Sequence, residues 1–138
     1  MGPGLAVEIL LDTHIWVWLT LKPQKIGRRL MRQIENGSNE LYLSPISIWE
    51  AKCLSTRSKG IRFDRPFHQW LERAMKTAPL MKAPLDFAVA AEAAVLVLPQ
   101  PDPGDLFIAA TAIVHGLTLA TADEQLLACR AVKTIPND

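Results

Sequence analysis

Cysteine is scarce: Cys53 and Cys129 are the two in 138 residues. They lie far apart and outside any C-x-x-C spacing, so they build neither a disulfide framework nor a thiolate zinc site. Both fall within apolar helical patterns, the setting of reduced core thiols, which suits a reducing compartment. Long hydrophobic runs are missing as well. No stretch reaches the ~18 uninterrupted apolar residues of a membrane span. The N-terminal stretch has no basic n-region and Glu8 interrupts its apolar run, so no signal peptide is read and a cytoplasmic protein is expected. An excess of one charge is absent too. Lys+Arg number 15 against 14 for Asp+Glu, a net charge of +1. No overall field draws the chain to nucleic acid or to membrane, and any electrostatic specialisation is local. There is no P-loop, no G-x-G-x-x-G and no G-x-S-x-G elbow, and no repeat or low-complexity tract.

What remains is the material of one domain, expected to span residues 1–138 with a flexible leader at 1–4. Hydrophobic residues make up 49% and charged residues 21% of the chain, an ordinary globular balance that disfavours disorder. Short apolar runs at 6–11, 41–43, 80–83, 117–121 and 131–135 read as strands. Helical patterns fill the spaces at 13–19, 45–56, 66–77, 84–96, 105–115 and 122–129. Pro23 opens a further long helix that runs to about Asn36 and stops at Asn36-Gly37. Residues 60–64 read as a loop, and the Pro-rich stretch 99–104 as a rigid turn. Gly116 ends the helix before it. Strands alternating with helices indicate α/β architecture with a largely parallel sheet covered on both faces.

Ligands of open parallel sheets bind beyond the carboxyl ends of the strands, and acids gather there. Asp12 directly follows the apolar run ILL. Asp123 follows the strand LTLAT by one residue. Asp105 opens the apolar helix before that strand, and Glu50 lies early in the helix after the second strand. Each has a plain structural reading. Asp102 and Asp105 bracket Pro103 as N-cap and N3. Thr121, Ala122, Asp123 and Glu124 fit a capping box with Thr121 as the cap. Glu50 can sit on a solvated face. Asp12 resists such a reading, because burying an unpaired acid at a strand end is expensive. Together, carboxylates held close repel one another unless protonated or bridged by a cation. Oxygen-only ligation selects a hard ion, Mg²⁺ or Mn²⁺, over zinc. Such ions serve phosphodiester hydrolysis.

Four motifs carry a resemblance: ILLDTHIW at 9–16, S-x-I-S-I-W-E at 44–50, DPGDLFIAATA at 102–112 and LTLATADEQLL at 117–127. In order and spacing they resemble the PIN-domain nucleases, and among them the VapC-type toxins of toxin–antitoxin pairs. The resemblance implies a PIN-like three-layer α/β/α sandwich and a metal-dependent endoribonuclease. Its acidic quartet maps onto Asp12, Glu50, Asp105 and Asp123, as catalytic and metal-holding residues. Thr121 matches a small hydroxyl residue beside the metal site, and Asp102 supports the third acid. It further implies Mg²⁺ (or Mn²⁺) as cofactor, an RNA substrate, a small VapB-like antitoxin and a homodimer. One departure is Leu106, where many relatives carry Arg directly after the third acid.

Lys25, Arg28, Arg29 and Arg32 recur at helical spacing, and Lys52, Arg57, Lys59, Arg62 and Arg65 form a second basic region. Lys25, Arg28, Arg29, Arg32 and Lys52 are the candidate RNA contacts, since phosphate neutralisation needs such groups. His14 is a helix-start residue beside the first acid. Trp16, Trp18, Phe63, Phe67 and Trp70 exceed what a small core readily absorbs, which suggests an exposed aromatic groove for an antitoxin helix, the alternative being that these rings complete the core or a homodimer interface. A phosphatase forming an aspartyl-phosphate also starts from an acid at the first strand. Its D-x-D signature is broken here by His14. The alternative to the nuclease is a non-catalytic PIN-like module that binds RNA or protein.

Overall fold

A computed structural model of the chain describes residues 6–57 and 61–138. The leader expected at 1–4, Lys59 and the start of the loop at 60 lie outside the described residues. The elements follow the order β1 (Glu8–Leu11), α1 (Thr13–Leu21), α2 (Arg28–Glu35), β2 (Glu40–Leu43), α3 (Pro45–Ser55) and α4 (Phe67–Thr77). After them come β3 (Met81–Lys82), α5 (Phe87–Val95), α6 (Pro103–His115), β4 (Thr118–Thr121), α7 (Glu124–Leu127) and β5 (Thr134–Pro136). The strands form one parallel sheet in the order β3-β2-β1-β4-β5. β1 therefore lies at its centre, with Leu10 opposite Tyr42 on one side and Leu119 on the other.

Helices cover both faces of the sheet. Successive residues of a strand point to opposite faces, and β1 shows the consequence. Ile9 and Leu11 join a core with α1, α2, α3 and α4, while Leu10 joins one with α6 and α7. All three are fully buried, each stabilising the fold by roughly 1.5–3 kcal/mol. β4 divides in the same way, with Ala120 on the first face and Leu119 on the second. Helix α5 packs outside, against α6, through Val89, Ala93 and Ala110.

Three expectations change. The helix expected from Pro23 is a short 3₁₀ turn at Pro23–Lys25 followed by α2. Ile26 turns into the core between them, and Asn137 binds there from the far end of the chain, accepting from Gly27 N (2.7 Å) and donating to Lys25 O (3.0 Å). Asp138 O then takes the amides of Arg29 and Leu30 at the start of α2. Among the described residues the five rings do not form an exposed groove, and the core alternative holds for Trp16 and Trp70. Trp16 and Trp70 are 1% and 3% exposed with ring centroids 5.1 Å apart, and Phe63 stacks on Trp70 at 4.3 Å. These rings satisfy one another in the core. Thr121 does not cap α7. Asp123 does, its Oδ1 accepting from Leu126 N at 3.0 Å.

Candidate active site

Three acids of the predicted quartet are delivered by a strand–helix junction or a helix start, and Glu50 by the middle of α3. Asp12 leaves β1 and caps α1. Its amide donates to Ala120 O of β4 (3.0 Å), which locks it to the centre of the sheet. Its Oδ1 accepts from Thr13 N at 2.8 Å and its Oδ2 from the Thr121 hydroxyl at 2.6 Å. Thr121 Oγ1 in turn accepts from Asp123 N at 3.0 Å, so the hydroxyl at the end of β4 ties the first and fourth acids together. Asp102 caps α6 through Gly104 N (2.8 Å), and Asp105 projects from the first turn of that helix.

Glu50 is held by a contact that its own helix does not supply. Thr13 donates to Glu50 Oε1 at 2.7 Å, and Ser47 Oγ lies 2.8 Å from the same threonine oxygen. A hydroxyl has one proton. With that proton on Glu50, Ser47 must donate to Thr13, and the two buried hydroxyls form a relay that aims the carboxylate. The other oxygen of Glu50 lies against Gly104, where a Cβ would overlap the carboxylate. A glycine at this step of α6 lets the acid back onto the helix start.

Asp12, Glu50, Asp102, Asp105 and Asp123 line one cavity of about 400 Å³. Burial pushes the Asp12 and Glu50 carboxyls above the usual range. Burial and then repulsion from Asp12, Asp123, Asp102 and Glu50 push Asp105 up to about 7. Among the described residues no ion pair involves any of the five acids. Nor does the Asp105 side chain have a hydrogen-bond partner among them. The cavity is thus a concentration of hard oxygen donors that repel one another, and a divalent cation relieves that repulsion. Among the described residues no group of three or more His, Cys, Asp or Glu side chains already stands close enough to hold a metal ion.

The other predicted residues spread out. Lys25 lines a neighbouring basic cavity, whereas Arg28, Arg29 and Arg32 are exposed on α2 and Lys52 on α3, and none of these four lines either cavity. His14 is exposed at the junction of the two cavities. Leu106 is half-buried between the α6 and α5 cores, so apolar packing takes the place of the common arginine. Sequence reasoning missed Thr13, Ser47 and Gly104. The signal for Ser47 was its position three residues before Glu50, on the same helix face.

A family model described as "PIN domain" matches residues 9–131. Ribonuclease VapC22 of Mycobacterium tuberculosis is 33% identical over 119 residues, covering 86% of this chain and 88% of the relative. The fold is similar to that in VapBC2 of Rickettsia felis bound to a DNA fragment from their promoter. The TM-score is 0.68 at 19% identity, over 96% of this chain and 100% of the other. It is also similar to a toxin-antitoxin complex from Klebsiella pneumoniae, with a TM-score of 0.63 at 21% identity over 94% and 98%. With the family model matching residues 9–131, which include all four acids, the chain belongs to the PIN-domain family.

Proposed function

We propose that the chain is a metal-dependent endoribonuclease acting as the toxin of a toxin–antitoxin pair. The observation that carries this reading is the cavity of five carboxylates without an ion-pair partner among the described residues. Asp12, Glu50, Asp105 and Asp123 are the residues that would hold Mg²⁺ or Mn²⁺, and Thr121 and Asp102 support them. A divalent ion held there would polarise a phosphoryl oxygen and lower the pKa of a bound water. The chain's own part is positioning. Thr121 and the Thr13 amide fix both oxygens of Asp12. The Ser47–Thr13 relay fixes Glu50. Without a cation the Asp105 carboxyl sits near 7, so a bound divalent ion would favour its ionised form.

The ribonuclease VapC22 and the toxin-antitoxin complexes support the toxin reading and a small antitoxin partner. A second copy is proposed on the outer face of α5, where Phe87 is 96% and Val95 72% exposed.

The test is cleavage of a single-stranded RNA pool by purified protein. Cleavage with Mg²⁺ or Mn²⁺, its loss in EDTA, and a fall of at least ~100-fold in Asp12→Asn are expected. Full activity in a folded Asp12→Asn chain, or in EDTA, would overturn the reading. Binding of RNA without cleavage by the wild type would favour the non-catalytic module.

A further inference from the structure

Beside the acidic cavity lies one of opposite character, about 330 Å³ in volume. Helix α1 forms one wall, and the end of α3 with the residues after it forms the other. The two cavities share His14, Trp18, Leu54 and Arg57, so they are parts of one cleft. Lys22, Lys25, Arg57 and Arg62 line the second part, and among the described residues no acid does. Among the described residues none of these four cations is in an ion pair. Arg57 also faces Glu50, but Lys22, Lys25 and Arg62 line only this part, and in a chain whose net charge is +1 such a cluster is a local anion site.

Trp18 supplies the second half of the argument. Trp16 and Trp70 are closed in the core, and Trp49, though 64% exposed, lines neither part of the cleft. Trp18 is half-buried, with its ring in the cleft between the acids and the cations. The Lys25 ammonium lies 5.4 Å from the ring centroid, and the His14 ring packs at 5.6 Å, tilted by 58°. A flat ring beside unpaired cations is the combination by which proteins hold single-stranded nucleic acid, the base on the ring and the phosphates on the charges. A base taking the ring face displaces the Lys25 ammonium, which then serves a phosphate.

We propose that this basic part of the cleft is a nucleotide subsite. One base of the substrate strand stacks on Trp18, and the phosphates flanking it are held by Lys22, Arg57 and Arg62. This rests on the ribonuclease reading and adds where the strand runs. The scissile phosphate sits at the acids, and the adjoining nucleotide lies over α1 toward Lys22. An acidic peptide would find the same cations, but it has no need of the ring or of continuity with the acidic cavity.

The experiment measures anisotropy of a labelled, mixed-sequence single-stranded RNA with Mg²⁺, on Asp12→Asn protein so that the probe is not cut. Trp18→Leu should weaken binding by about 5-fold or more while leaving the salt slope unchanged, and Trp18→Phe should retain most of the affinity. Lys22→Gln with Arg57→Gln, both at exposed positions that carry little risk to folding, should flatten the salt slope by up to about 0.7 for each lost contact. Thermal melts matched to the parent confirm that the variants are folded. In the cleaving chain, Trp18→Leu should raise KM more than it lowers kcat. A folded Trp18→Leu chain with parental affinity overturns the subsite alone. So do variants that keep RNA affinity but no longer capture the antitoxin encoded beside this chain, because the cavity then serves a protein. If the parent itself binds no RNA, the ribonuclease reading fails and the subsite fails with it.

Discussion

At the scale of single residues, Asp105 carries the clearest consequence of crowding. Its carboxyl is raised from 3.8 to about 7 by burial and by four neighbouring acids. Between those two values the folded chain binds a proton that the unfolded chain has released. Stability of the metal-free protein therefore falls as pH rises from about 4 to 7 and levels off above, the reverse of an acid stabilised by a cation. Asp12 and Glu50, also raised, add in the same direction. Thermal unfolding in EDTA should give a higher Tm at pH 5 than at pH 8, and Asp105→Asn should shrink the difference. A Tm that climbs with pH in EDTA would contradict this. With Mg²⁺ present the slope should weaken or reverse, because the ion favours the ionised acids. Asp12, Asp105 and Asp123 were legible in the sequence because each stands at a strand end or helix start, where polarity has to be explained, whereas Glu50, in the middle of α3, drew notice only alongside them. Thr13 and Ser47 were not, since hydroxyls inside helical patterns are ordinary and their meeting across 34 positions depends on how α1 packs on α3.

At the scale of elements, the contact of α3 with α6 decides whether Glu50 can take part. Gly104 has no positive φ, so alanine suits its backbone and even raises helix propensity. Its methyl group, however, would fall on the Glu50 carboxylate. Gly104→Ala should therefore lower RNA cleavage about 10-fold or more while Tm changes by only a few degrees, measured on the same preparation. Adding it to Glu50→Ala should cost nothing further in cleavage, since the clash is gone; a clear additional loss would assign Gly104 another role. Most strands and helices could be read from period and punctuation. The break after Pro23 could not, because the partner that interrupts the helix, Asn137, arrives from 110 residues away. The aromatic groove was misjudged for a similar reason. Counting large rings does not reveal that Trp16, Phe63 and Trp70 stack on one another.

At the scale of the whole molecule, the most exposed large apolar side chain among the described residues is Phe87 at 96%, and Val95 and Val97, at and just after the other end of α5, are 72% and 84% exposed. Monomers rarely leave such a face bare. Sedimentation at micromolar concentration should show a dimer, and Phe87→Glu should shift it to the monomer with cleavage per chain retained. A wild-type monomer under those conditions would remove the second copy from the proposal. The sheet order has a further consequence, for synthesis. β1 is made first, yet it lies between β2 and β4, and Asp12 takes its amide partner from Ala120 and its hydroxyl partner from Thr121. Until residue 123 has emerged from the ribosome, the first acid has neither its partners nor the fourth acid beside it. Helix α1 and β2 can form earlier, but the central strand still lacks a neighbour, and closing that gap is a long-range event that comes late. A nascent chain is therefore expected to stay inert toward the messenger that encodes it until β4 and Asp123 have joined β1.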